Sequence, residues 1–269
     1  MATNDIETTI YNGLHNVKFR SGNHRYYIDG KPKPGVTTIM GKVLAKPNLM
    51  LWPLNMAMKH LESKVPTITA QDLADAREAH VKRRDKGADT GTIVHRLVEE
   101  SLLKYGTGEA IVWEPDAEVT AAFDGFLKWQ STVKPRAVAV EQVVYSDLHG
   151  FAGTFDSILE IDGKVYLADL KTTNASRSAP KGVYAEYFIQ LGAYYYAYEE
   201  QRQYELAHGG TNLVEIDDLL VISCKKDGRV NTMAASELQL TLEDCTKLWE
   251  NTLFLHKGLS AVKQKIGGF

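Results

Sequence analysis

Two extended runs joined by an Asp-Gly pair constrain this chain more than any other feature. HGFAGTFDSILEI precedes Asp162-Gly163 and KVYLADLKT follows it. Both runs are rich in β-branched and aromatic residues, and Asp-Gly between such runs is a strong hairpin signal. Folding the chain about that turn sets Asp156 and Asp169 opposite one another, each six residues from its side of the turn. Cross-strand partners have Cβ atoms roughly 4.5–5.5 Å apart. Like charges that close are destabilising unless a cation or a proton lies between them.

The remaining pattern places helices around these strands. NHRYYIDG (23–30) and the KPKPG after it read as a short strand and a turn. Thr37 or Thr38 is a candidate cap for a helix through Ile39–Leu44. Residues 48–62 are helical in pattern, 70–104 form a long helical stretch interrupted around Asp85–Asp89, and 115–133 form another. The period then becomes extended: 136–146 alternate and are rich in Val, and the hairpin follows. A Tyr-rich helix over 183–206, strands over 214–224 and 228–233 and a helix over 236–265 complete the order. The expected architecture is mixed α/β, with helices flanking a central mixed sheet behind a helical N-terminal region.

Composition narrows the class. With 269 residues, 44% of them hydrophobic, the chain can bury a sizeable core. Its net charge of −3 argues against a wholly basic surface, but phosphate contacts need only local Lys/Arg density. Two cysteines, Cys224 and Cys245, are too few for a four-cysteine metal site and suit a reducing cytoplasm. No apolar run reaches the roughly 18 residues of a spanning helix, so the expectation is a protein without membrane association.

The hairpin carries a candidate chemistry. Two facing carboxylates offer the hard oxygen ligands that Mg²⁺ prefers. Lys171 lies two residues past Asp169, on the same strand face. Its ammonium can orient or activate an attacking water and stabilise charge on a phosphate, while a metal polarises that phosphate and lowers the pKa of bound water. The plainer alternative is strand-end charges with Lys171 pairing one of them; the mirrored position of Asp156 favours phosphodiester hydrolysis.

GTFDSILEIDGKVYLADLKTT resembles the core of the PD-(D/E)XK nuclease superfamily, in particular its RecB-like exonuclease branch. Four further segments match that branch in order. GVTTIMGKVL is similar to the opening of mitochondrial-genome-maintenance-type and phage exonucleases, with Gly35 where serine is usual. GTIVH (Gly91 to His95) resembles the G-x-x-x-H helix, Glu141 matches an acidic residue on the strand before the hairpin, and QLGAY (Gln190 to Tyr194) matches Q-x-x-x-Y. The resemblance spans about residues 34–200. It implies that His95, Asp156, Asp169 and the Leu170 carbonyl bind one or two Mg²⁺ or Mn²⁺ ions, and that Lys171, Glu141 and Gln190 assist catalysis. Taken singly, His95 reads more readily as a core-edge histidine than as a ligand, and Glu141 reads equally as a solvent-facing strand residue. RecB-like relatives often hold an iron–sulfur cluster on four cysteines, and two cysteines exclude that arrangement here. Residues 1–134 then form a helical region lending its His-bearing helix to a nuclease core over 135–269, together one unit.

DNA is the implied substrate. Arg83, Arg84 and Lys86 precede the His95 helix, while Thr172, Thr173 and Arg177 follow Lys171, so both groups and Tyr194 are candidate DNA contacts. Trp52 is a candidate base-stacking residue, with core packing the alternative. The implied activity is an exonuclease working at DNA ends, single-stranded by preference. The alternatives are an endonuclease on branched or specific DNA and a DNA-binding module without catalysis. Intact Asp169 and Lys171 favour the enzyme. A phage or bacterial cytoplasmic role in repair or recombination fits, with any helicase, recombinase or single-strand-binding partner a separate protein.

Overall fold

Paired left-handed residues fold the first strands back on one another. The computed structural model describes residues 5–44, 50–113, 116–174 and 181–267. Strands β1 (Ile6–Ile10), β2 (His15–Arg20), β3 (Arg25–Ile28) and β4 (Lys31–Lys33) form a four-stranded antiparallel meander. Asp29 and Gly30, both at positive φ, make the two-residue turn between Ile28 and Lys31. Ile10, Val17, Phe19, Tyr26 and Ile28 are buried together with Val143, Tyr145 and Ala152 of the main sheet. Of this meander the sequence reading had only the 23–30 strand, because the runs are short and alternate weakly.

Six helices lie among the described residues: α1 (Val36–Val43), α2 (Trp52–Glu62), α3 (Ala70–Leu103), α4 (Ala117–Val133), α5 (Ala185–Ala207) and α6 (Leu242–Lys265). Gly35 occupies the cap position of α1 without a side-chain bond, so Thr37 and Thr38 lie inside the helix rather than capping it. The expected break at Asp85–Asp89 is absent. A glycine costs a helix interior about 1 kcal/mol without stopping it. Buried Thr90, Val94, Leu97, Val98, Ser101 and Leu102, three and four residues apart, anchor the second half of α3. The last helix starts later than expected, after a 3₁₀ turn at Ser236–Leu238, where Thr241 and Asp244 form a reciprocal capping box.

The main sheet runs β5 (Arg136–Ser146), β6 (Phe151–Ile161), β7 (Lys164–Thr173), β8 (Asp218–Lys225) and β9 (Val230–Ala234) in that spatial order. Neighbours are antiparallel except β7 and β8, which are parallel and joined through α5. Every residue of β8 is buried, as expected of an inner strand covered on both faces. On one face, Phe155, Leu167, Leu219 and Val221 pack with Leu191 and Trp249 from α5 and α6. On the other, Leu159, Ala168, Leu170 and Ile222 pack with Leu97 and Phe126 from α3 and α4. The mixed α/β architecture with a central mixed sheet is thus as expected, with the β meander ahead of the helices.

Candidate active site

The site opens where β7 loses β6 as a neighbour and keeps β8. The hairpin register is the one expected from the turn, running from Ile161–Lys164 to Ser157–Ala168. There the β6–β7 ladder stops, one residue short of the two aspartates, while β7 continues beside β8 to Thr173. Asp156 and Asp169 therefore do not form the cross-strand pair expected of them. The Asp156 carboxylate instead takes the place of a ladder partner: its Oδ2 accepts the Leu170 backbone N–H at 2.5 Å. Its Oδ1 faces His95 Nδ1 at 3.6 Å.

Three elements converge on that carboxylate. His95 projects from the anchored half of α3. Glu141 lies on β5, bracketed by the Val140–Ser157 and Gln142–Phe155 pairs, so it stands across from Asp156. Its backbone φ is +48°, a strained conformation for a glutamate within a strand. One donor atom each from His95, Glu141 and Asp156 fall within 4.8 Å of one another. The cavity they border is closed by Val98, Leu102, Phe126, Leu170 and Ile222, and Glu99 also lines it.

Burial and like charge shape the electrostatics. Burial foremost, then the charges of Asp156 and Glu99, push the Glu141 carboxyl up to about 8. Burial also works against the Asp156 charge, but His95, Lys171 and the Leu170 N–H outweigh it and hold that carboxyl below the ordinary aspartate range. For His95 burial opposes protonation and Asp156 overrides it, raising the imidazole pKa. One imidazole and two converging carboxylates are a donor set suited to a divalent cation.

Asp169 and Lys171 occupy the adjoining side. Asp169 is only 1% exposed, and its Oδ2 lies 2.6 Å from Lys171 Nζ. Burial pushes Asp169 up to about 6, with the charge of Asp156 adding to it and Lys171 opposing. Burial likewise works against the Lys171 charge, but the two aspartates outweigh it and keep the amine protonated. Nζ also donates to Gln190 Oε1 at 3.2 Å and sits 5.0 Å from the Tyr187 ring centroid. Gln190 in turn donates from Nε2 to the Tyr194 hydroxyl at 2.7 Å.

The remaining candidates divide. Tyr194, expected at the DNA, is 4% exposed and packed in the core, so it holds Gln190 instead of meeting a ligand. Gly153 leaves it room: a Cβ there would lie 2.5 Å from the Tyr194 ring. Thr172 is half-buried, and the Thr173 hydroxyl bonds Ser223 at 2.7 Å. Arg83, Arg84 and Lys86 are exposed on α3, Arg84 paired with Asp85 at 2.9 Å. Trp52 is half-buried, edge-on to His80. Arg177 lies outside the described residues. The sequence reading passed over Glu99, although its place four residues after His95 puts both on one helix face.

A model of the PD-(D/E)XK nuclease superfamily matches residues 69–258. No curated protein matches the sequence. Among solved structures, the chain is similar to the crystal structure of SSO0001, at 13% identity and a TM-score of 0.34, over 74% of this chain and 84% of that one. It is similar as well to an alkaline exonuclease, LHK-Exo from Laribacter hongkongensis, at 10% identity and a TM-score of 0.32, over 87% and 94%. The matched family region runs from the cap of α3 into α6, over more than half the chain and across every residue of the site, and the chain belongs to the PD-(D/E)XK nuclease superfamily.

Proposed function

We propose that this chain is a Mg²⁺- or Mn²⁺-dependent deoxyribonuclease that hydrolyses phosphodiester bonds at DNA ends, single-stranded ends by preference. The observation that carries the reading is the meeting of His95, Glu141 and Asp156 donor atoms within 4.8 Å, beside an ammonium held 2.6 Å from Asp169. The end-directed mode rests on the resemblance to RecB-like exonucleases in five ordered motifs.

His95, Glu141 and Asp156 would hold the cation, with Asp169 and the Leu170 carbonyl at its edge. When bound, a divalent ion polarises the scissile phosphate and makes water a better nucleophile near neutral pH. The Leu170 N–H fixes Asp156 so that one carboxylate oxygen stays directed at His95. Lys171, locked by Asp169, Gln190 and the face of Tyr187, keeps its positive charge aimed at the phosphate, where it orients the attacking water and offsets charge developing on the non-bridging oxygens. Tyr194 and Gln190 set the position of that ammonium without touching DNA. Arg83, Arg84 and Lys86, exposed on α3 upstream of His95, would take phosphates of the approaching strand.

The test is digestion of end-labelled single-stranded, double-stranded and closed circular DNA in Mg²⁺, Mn²⁺ or EDTA, beside Lys171→Ala. Metal-dependent loss of linear DNA, circles intact and the variant inactive, is expected. Cutting of circles would replace the end-directed mode by an endonuclease, and absence of cleavage with either metal would overturn the catalytic reading.

A further inference from the structure

Among the described residues, the last helix extends past everything it packs on. Cys245, Trp249, Thr252 and Leu253 are buried in the first half of α6, but every residue from Lys257 to Gly267 is exposed. Helices in proteins owe most of their stability to the packing of an amphipathic face. This stretch carries such a face. Leu255, Leu259, Val262 and Ile266 follow one another at intervals of four, three and four, each between 44% and 73% exposed. At 3.6 residues per turn they fall within about 60° of arc, a seam as narrow as that of a coiled coil. From Leu259 on, the helix also lies beyond the residues matched to the nuclease family.

The charge along this seam is one-sided. Lys263 and Lys265 stand on its two flanks, and the sequence from Asn251 to Gly267 adds Lys257 and His256 but no Asp or Glu. Among the described residues none of these three lysines forms an ion pair. A second copy of the segment would bring lysines and no carboxylate to the flanks in either orientation, and like charges there oppose pairing. DNA phosphates would answer the lysines but leave the apolar seam in water. A helix lying in a membrane surface needs a broader apolar face.

We infer that the free end of α6 docks an acidic amphipathic helix of another protein. The partner's apolar side chains cover Leu255, Leu259, Val262 and Ile266, and its flanking carboxylates meet Lys263 and Lys265. The surface shares no residue with the nuclease site, so cleavage does not depend on it.

The probe is a labelled synthetic peptide of three heptads, with Leu at the a and d positions and Glu at e and g. Its binding to the full chain is read by fluorescence anisotropy, beside the same peptide with Lys at e and g. The Glu peptide is expected to bind at least about tenfold tighter than the Lys peptide, and added salt should weaken it. Lys263→Glu with Lys265→Glu should reverse that preference. Leu259→Ser with Val262→Ser should abolish binding of either peptide, with DNA cleavage unchanged. Where the serine pair unwinds the helix end by circular dichroism, the charge-reversed pair decides. Failure of the Glu peptide to bind, or a preference that survives the charge reversal, would overturn the inference. Dimerisation in sedimentation that the serine pair removes would assign the seam to a second copy instead. Seam-dependent binding to phosphatidylserine vesicles without peptide binding would assign it to a membrane, and either result overturns the inference.

Discussion

The Asp156 carboxylate accepts the backbone N–H of Leu170 at 2.5 Å, just past the point where the ladder between their strands ends. A side chain thus clamps the strands that frame the site, and the bond favours the charged form of the group it orients. One oxygen serves the fold and the other faces the cavity.

That division makes Asp156→Asn informative. The amide oxygen can still accept the Leu170 N–H, so the fold is expected to survive, while charge at the cavity is lost. Cleavage should fall by roughly 10²–10³ or more, with an unchanged circular dichroism spectrum. A variant that cleaves at the wild-type rate would remove Asp156 from the centre.

Metal binding should appear as stability. A ligand that binds only the folded state at a hundred times its Kd adds about 2.7 kcal/mol, which is several degrees of Tm for a chain of this size. Mn²⁺ is expected to raise Tm in the wild type and far less in His95→Ala or Glu141→Gln. Equal shifts in all three would place the bound ion elsewhere.

Gln190→Ala separates positioning from chemistry. Lys171 keeps its 2.6 Å contact with Asp169 and loses the 3.2 Å one with Gln190. The expected result is a fall in kcat of about tenfold, with stability and Mn²⁺ affinity little changed, far milder than Lys171→Ala. A loss equal to that of Lys171→Ala would mean that Gln190 itself meets the reacting phosphate.

Gly192 sets how closely α5, which carries Gln190, approaches α6. A Cβ at this position would lie 2.2 Å from the Cys245 carbonyl oxygen, a backbone atom that cannot swing aside. Gly192→Ala should cost about 1–3 kcal/mol through overpacking. An unaltered thermal midpoint would show that the helices separate freely.

Asp218, at the start of β8, supplies a pH test away from the site. It is 3% exposed and accepts from Lys164 Nζ, Ser236 Oγ and the Leu219 N–H. Burial opposes its charge, but these partners outweigh it and hold the carboxyl below the ordinary aspartate range. A depressed folded-state pKa stabilises above the unfolded value of about 3.9, and that contribution disappears as pH falls through the folded value. Asp218→Asn should therefore cost about 1–3 kcal/mol at pH 7, and the gap in urea midpoints should narrow below pH 4. A gap independent of pH would mean that shape, not charge, holds the junction.

What the sequence determined by itself is local. The Asp162-Gly163 turn set the register of β6 and β7, since two residues at positive φ leave the following strand one way to return. Strand alternation put Asp169 and Lys171 on one face, and helical periodicity put His95 on α3 with its apolar residues inward. These signals depend on neighbours a few residues apart. The tertiary structure decided which carboxylate meets which partner: Asp156 with Leu170 and His95, Asp169 with Lys171, and Glu141 turned toward Asp156 by a left-handed residue in β5. It also buried Tyr194, placed Glu99 at the cavity and folded the first strands into a meander against β5 and β6. None of this is periodic. It follows from where the hairpin ladder ends and from helices packed on opposite faces of the sheet, and those contacts join segments far apart in the chain.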